Sequence, residues 1–336
     1  MRMPAESAPH ERTVLCWPTR VGLYGDLLAD AERCHAEVAS TIARYEPVTM
    51  IAPPAVSGRA AERCGPSVEV VELPTDDSWF RDTGPIYVLS ADGTARVALD
   101  WVFNSWGGKY APWERDAALA EEWARHAGDE VRAVPMVLEG GSIAVDGDGT
   151  LVTTTQCLMH PNRNPHLSRT EIERRLRDEL GVQVVVWLPH GLALDEDTDG
   201  HVDNVAAFAR PGTLLLQGCA DPVEADHLRA DVNRRSASGT VDALGRPIDV
   251  IEILVLPFVE VAGRRVAVPY LNYYVGNGFV LVPVCGHDAD ADMAAIIAEQ
   301  YPGRDTIPLD VGATLAYGGG GIHCITQQIP AVTPPA

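Results

Sequence analysis

Apolar runs along this chain come in pairs. Each pair is split by a short turn, then followed by a stretch of helical period and a further apolar run. The first unit predicts a hairpin over 85–103, turning at Ala91-Asp92-Gly93, a helix over 112–127 and a strand over 131–136. The second predicts a hairpin over 142–155, around Asp146-Gly147-Asp148-Gly149, and a strand over 183–189. Its helix, 168–180, opens on Ser168 with Glu171 three residues later, the spacing of a capping box. The third has a hairpin over 201–217 turning at Arg210-Pro211-Gly212, a helix over 221–236 and a strand over 249–257. The fourth turns at Gly276-Asn277-Gly278 within 268–285 and carries a helix over 288–300. Turn residues between β-rich runs are the strongest short-range signal of a hairpin.

The fifth unit is split between the chain ends. Residues 321–330 supply one strand; 13–17, a helix over 25–44 and a strand over 47–52 supply the rest. No linker-like stretch interrupts the pattern. The expectation is an α/β fold, one domain over 1–336, in which five ββαβ units form a pseudo-symmetric propeller closed by the chain's own ends. In such a ring, equivalent positions converge on the axis, and residues far apart in sequence can share one pocket.

Composition narrows the function. The 336 residues are 46% hydrophobic and 22% charged, which suits a packed core and excludes collagen-like and disordered classes. The net charge of −21 argues against nucleic acid, whose binding needs clustered Lys and Arg. It is compatible with a cationic substrate, or simply with solubility. No apolar run approaches the ~20 residues of a membrane helix, and residues 1–9 have no signal-peptide core. The seven cysteines are scattered and form no C-x-x-C, so neither a disulfide framework nor a zinc knuckle is expected, and a reducing cytoplasm is the default.

The polar residues that stand out lie at or just before the hairpins: Asp82, Glu139, His201 with Asp203, and Cys324. Each admits a plainer role. Asp82 could pair with Arg81 or cap a turn, and Glu139 could serve a turn before Gly140-Gly141. His201 and Asp203 read as alternating strand positions facing one side. Asp199 reads as a turn residue. Cys324 follows four glycines, where backbone bends sharply or approaches a ligand. His323, beside it on the same predicted strand, would point away and be structural. His160, His166 and His190 carry no specific signal.

Together these residues suggest nucleophilic catalysis on a cation. Two nearby carboxylates repel unless a positive group lies between them. A guanidinium is planar, permanently charged and matched to carboxylates by paired N–H donors. Held so, its carbon is open to a thiolate from above, while one histidine protonates departing ammonia and later activates water. The competing reading is a metal-dependent hydrolase with His201, Asp203 and Asp82 as ligands, a sparse set for catalytic zinc.

The chain resembles the agmatine deiminases, members of the pentein, or guanidino-group-modifying, superfamily. The resemblance runs nearly end to end. It rests on Met3-Pro4-Ala5-Glu6, on Pro9 through Thr13, on Trp79-Phe80-Arg81-Asp82-Thr83-Gly84-Pro85 and on Asn104 through Tyr110. It continues through Glu139-Gly140-Gly141-Ser142, Gly200-His201-Val202-Asp203-Asn204, and Gly318-Gly319-Gly320 with Ile322 through Gln328. It implies a fivefold ββαβ propeller, a homodimer, and hydrolysis of agmatine to N-carbamoylputrescine and ammonia on the way to putrescine, with no metal or organic cofactor. Cys324 is then the nucleophile of a covalent amidino-cysteine, and His201 the general acid and base, supported by Glu139. Asp82 and Asp203 grip the guanidinium, and Trp79 walls the pocket. Three places differ from the family's usual pattern: Ser7 for Trp, a shortened loop after Tyr110 before Pro112-Trp113, and Gly321 for Asn. A reshaped pocket would suit another guanidine, including peptidyl arginine. Sibling chemistry would be amidino transfer, and a pentein that only binds a partner is a further alternative. Within Asp195-Glu196-Asp197, Asp197 is the candidate reader of agmatine's distal ammonium, the alternative being a solvated loop.

Overall fold

The computed structural model describes residues 1–333. Five sheets share one topology. In each, an antiparallel pair of strands is followed by a helical crossover to a third strand, which pairs in parallel with the second strand of that pair. The middle strands Thr150–Thr154, Thr213–Gln217 and Phe279–Pro283 are buried along their whole length, as expected where both faces are covered.

The α/β class agrees with the sequence pattern, and so do most elements. The hairpin Ile86–Leu89 with Arg96–Val102 is followed by helix Glu114–Ala127 and strand Glu130–Val137. Helix Arg169–Leu180 begins with the expected capping box. The Ser168 hydroxyl accepts from the Glu171 amide at 3.3 Å, and the Glu171 carboxylate accepts from the Ser168 amide at 2.7 Å. The two chain ends meet in one sheet, where Thr326–Pro330 runs antiparallel to His10–Cys16, with Thr13 opposite Gln328.

Several elements differ. The sheet built from the chain ends has a fourth strand, Val68–Glu72, reached through helix Ser57–Cys64. The fourth unit ends in the strand Asp305–Leu309, absent from the elements the sequence predicts; its Pro308 is tolerated because the strand lies at a sheet edge. A separate hairpin, Phe258–Val261 with Arg264–Ala267, turns at Ala262-Gly263, both at positive φ. That geometry fits a two-residue hairpin turn, but alanine does not advertise it. Residues 201–205 and 321–325 are not strand.

Those last segments are where the candidate residues sit. Ahead of the first strand of four sheets lies one short helical turn: Phe80–Thr83, Gly140–Ser142, Val202–Asn204 and Ile322–Ile325. These turns pack against one another. Around them the core is aromatic: Trp79, Trp106 and Cys324 belong to the same buried cluster as Trp17 and Tyr24. Among the described residues no helix is long and apolar enough to cross a membrane.

Candidate active site

Asp82, Glu139, His201, Asp203 and Cys324 are all buried. Three of them meet at Gly141. A Cβ there would stand 2.6 Å from His201 Nδ1 and 3.0 Å from both Asp82 Oδ1 and Asp203 Oδ2. Only a residue without a side chain admits that convergence. The Gly141 amide also donates to Asp82 Oδ1 at 2.9 Å. Gly320 plays the same part beside the thiol, since a Cβ there would lie 3.0 Å from Cys324 Sγ and 2.6 Å from the Trp79 ring.

The thiol sits against an acid. Cys324 Sγ is 3.3 Å from Asp203 Oδ2 and 3.1 Å from Asn272 Nδ2. Burial pushes the Cys324 thiol well above the ordinary range, and the Asp203 and Asp82 carboxylates push it further. His201 behaves oppositely. Burial alone would lower it, but Asp82, whose Oδ2 is 3.8 Å from Nδ1, together with Cys157 and Glu139 holds it well above its usual value. Both shifts favour the protonated forms, a thiol at Cys324 and an imidazolium at His201. Asp82 is raised by burial, with Asp203 adding to the push and His201 opposing it.

Several buried polar atoms have no protein partner among the described residues: both His201 ring nitrogens, Asp203 Oδ1 and Glu139 Oε2. Such atoms are costly unless something else completes them. Glu139 Oε1 is taken, accepting from Arg163 Nε at 2.6 Å. Arg163 also donates to Asp199 Oδ2 at 2.7 Å and to the Thr198 carbonyl at 2.9 Å, locking the turn that carries His201. Glu139 makes no hydrogen bond to His201; it lies near the ring together with Cys157, ligand atoms of all three falling within 4.8 Å of one another. This trio, not Asp82, Asp203 and His201, is the set with metal-like spacing. The Arg163 guanidinium on Glu139 sets a fixed positive charge against a cation there.

Sequence reading placed the two central pairs on strands, and the structure differs. His201 precedes the single turn Val202–Asn204, and Cys324 lies in the turn Ile322–Ile325. The expectation that His323 points away from the site is overturned: its Nδ1 lies 2.9 Å from Asp203 Oδ2. The run 195–197 divides. Asp195 is half-buried and accepts from the Thr198 and His201 amides, so it holds the loop. Asp197 lines the slot above Cys324 with Trp79 and Trp106, but its carboxylate is engaged by Tyr110 Oη and by Arg264 Nη2 at 3.1 Å.

Two residues escaped sequence reading. Trp106 donates from Nε1 to Asp82 Oδ2 at 2.9 Å, from a left-handed backbone (φ 52°) that tryptophan rarely adopts. Asn272 holds the thiol, and its Oδ1 accepts from the Cys324 amide at 3.3 Å. It lies just ahead of Tyr274–Gly276, the first strand of the fourth sheet, where the other four sheets have their candidates. That equivalence was the signal available in the sequence. Asn272 also fills the space a side chain at Gly321 would need. Ser7 does not line the slot; its carbonyl accepts from Arg304 at 2.8 Å, so the departure there leaves the slot walls untouched.

The slot is narrow, about 20 Å³, and at Asp197 and Gly319 it meets a cleft of about 230 Å³ bordered by Arg264 and Arg265.

The family model for Porphyromonas-type peptidyl-arginine deiminase matches residues 2–330. The chain belongs to this family. Among curated relatives, the agmatine deiminase of Stutzerimonas stutzeri is 42% identical, over 98% of this chain and 95% of the relative. The solved agmatine deiminase of Enterococcus faecalis superposes with a TM-score of 0.94 at 30% identity, covering 98% of this chain and 95% of that one. An amidinotransferase from Microseira wollei, at 12% identity and a TM-score of 0.52 over 100% of this chain and 98% of that one, shares the fold alone.

Proposed function

We propose that this protein hydrolyses agmatine to N-carbamoylputrescine and ammonia through a thiouronium on Cys324. The observation that carries the reading is the meeting of Asp82, Asp203 and His201 at Gly141, beside the thiol, with Asp203 Oδ1 free of a hydrogen-bond partner among the described residues. A guanidinium brings N–H donors for the free oxygen of Asp203 and a positive charge between the Asp203 and Asp82 carboxylates. Agmatine is the substrate named for the relatives, and its single thin chain suits the slot. We extend the proposal to the architecture: one domain over 1–336, the five sheets set around one axis as a propeller. A homodimer acting without a cofactor follows from the family resemblance, and a cytoplasmic location from the seven scattered cysteines.

The guanidinium between Asp82 and Asp203 offsets the charges that hold Cys324 protonated, so the thiol releases its proton to solvent as substrate binds. The thiolate adds to the guanidine carbon and forms the S–C bond. His201 gives its ring proton to the departing nitrogen, the C–N bond breaks and ammonia leaves. The neutral imidazole then takes a proton from water as the new C–O bond forms. The S–C bond breaks, Cys324 leaves as thiolate and takes the remaining hydroxyl proton of the product, restoring the thiol, and the neutral ureido product departs. Trp79 and Trp106 wall the reacting plane, Trp106 also bracing Asp82. Glu139, ion-paired to Arg163, supplies negative charge near the ring of His201. At the far end, the substrate's ammonium takes the place of Arg264 on Asp197.

A second reading is peptidyl-arginine deimination, favoured by the wide cleft that continues the slot past Arg264. The test is incubation with agmatine, free arginine and a C-blocked arginyl peptide, scoring ammonia and ureido product, with a chelator in a parallel arm. Agmatine should turn over fastest and resist the chelator. Cys324→Ala should abolish product and the amidine adduct seen by intact mass. No ureido product from agmatine overturns the assignment, and product from Cys324→Ala overturns the covalent route.

A further inference from the structure

Glu6, His323 and Asp203 form a line of hydrogen bonds that ends on the acid touching Cys324. His323 Nδ1 lies 2.9 Å from Asp203 Oδ2, and Nε2 lies 2.6 Å from Glu6 Oε1. A carboxylate only accepts, so a ring bonded to one at each nitrogen donates at both and is an imidazolium. The line is anchored beyond Glu6. Arg81, itself buried, approaches Glu6 Oε1 at 3.5 Å and donates from Nε to the His323 carbonyl at 3.2 Å. Backbone and ring of His323 are thus both held.

We propose that His323, clamped by Glu6 and Arg81, is a positioning residue that keeps Asp203 as an acceptor with one oxygen free for the guanidinium. The inference rests on the reading of Asp203 as a guanidinium acceptor. With Oδ2 taken by His323, only Oδ1 is left, and Oδ1 is the oxygen without a protein partner. The imidazolium also offsets the repulsion between Asp203 and Asp82 before substrate arrives.

The surrounding charges act in the same sense. Facing His323 are Glu6, Asp203 and Arg81; facing Glu6 are also His10 and Tyr273. Facing Asp203 are His201, Cys324 and, across Gly141, Asp82. Burial and Arg81 would lower His323, but Glu6 and Asp203 outweigh them and raise it. Burial would raise Asp203; His323 reverses this and lowers it. Glu6 falls to about 2 despite its burial, through His323 and Arg81.

His323 has its own side of the site. Glu6, His323 and Asp203 line a cavity of about 20 Å³ that shares no lining residue with the slot above Cys324. Its proton can be kept or exchanged there while substrate fills the slot.

The test compares His323→Gln, Glu6→Gln and Asp203→Asn in agmatine turnover across pH, with thermal melting to confirm folding. His323→Gln should raise KM by about tenfold or more, the cost of a lost charge-assisted hydrogen bond, with a smaller fall in kcat. The acid limb of kcat/KM should move to higher pH, because Asp203 without its cation holds a proton longer. Glu6→Gln should shift both in the same direction by less. Wild-type constants for Asp203→Asn would overturn the reading of Asp203 itself. An impaired Asp203→Asn beside a His323→Gln with unchanged KM and acid limb would overturn the positioning role alone. Should His323→Gln not fold, Glu6→Gln decides: an unmoved KM and acid limb overturns the proposal.

Discussion

Two buried histidines act on Asp203, and they are built in opposite ways. His323 has both ring nitrogens hydrogen-bonded to carboxylates, while His201, with Asp82 Oδ2 3.8 Å from its Nδ1, has no hydrogen bond at either nitrogen among the described residues. A complete network is rigid and keeps its charge. An incomplete one carries a desolvation cost that folding alone does not return, so it marks the place where another molecule finishes the structure. The contrast recurs between two acids. Asp203 has Oδ2 beside the thiol and keeps Oδ1 free, whereas Asp197, at the far end of the slot, has both oxygens engaged by Tyr110 and Arg264. Fixed groups position; unfinished ones react or bind.

The strongest test of that contrast is His201→Ala. Losing the proton carrier should cost roughly 10²–10⁴-fold in turnover. The covalent adduct should form slowly or accumulate, seen by intact mass. Unchanged turnover would mean that the bare nitrogens signify nothing. A medium effect concerns the thiol. Burial and the neighbouring carboxylates raise Cys324, so its neutral form persists as pH rises through the ordinary thiol midpoint of about 8.5. Thiolate absorbance at 240 nm, taken as the difference from Cys324→Ser, should stay absent at that pH in the free protein and emerge only above it. A thiolate already present at pH 7 would contradict the influence of burial and of Asp203 and Asp82 on the thiol. The smallest effect belongs to Arg264→Ala. Its side chain is half exposed, so removing it should lower KM for agmatine by at most about fivefold, with kcat unchanged. A rise in KM would show that Arg264 serves the substrate rather than competing with it.

Much of the fold was legible because its signals are local. The Ser168 capping box, the Gly276-Asn277-Gly278 turn and the pairing of apolar runs each act over a few residues. Ala262-Gly263 and Pro308 were missed because their residues do not announce the conformations they adopt. The site was partly legible for a different reason. Position just ahead of a sheet's first strand picked out Asp82, Glu139, His201 with Asp203, and Cys324, and the same rule applied to the fourth unit finds Asn272. His323 was misread because strand alternation was assumed where the chain makes a helical turn, and a turn sends neighbours in directions that alternation does not describe.

By itself, then, the amino-acid order determined the repeated unit, the α/β class and the chemical types gathered before the hairpins. Tertiary structure alone decided which of those groups are already engaged. Arg163 claims Glu139, Arg264 claims Asp197, His323 claims one oxygen of Asp203, and Asn272 claims the thiol. Partners separated by 24 to 120 positions leave no mark in local sequence. Whether a buried polar atom is satisfied depends on ångström distances between turns from different sheets, and that is what separates a group that holds the site from one that awaits the substrate.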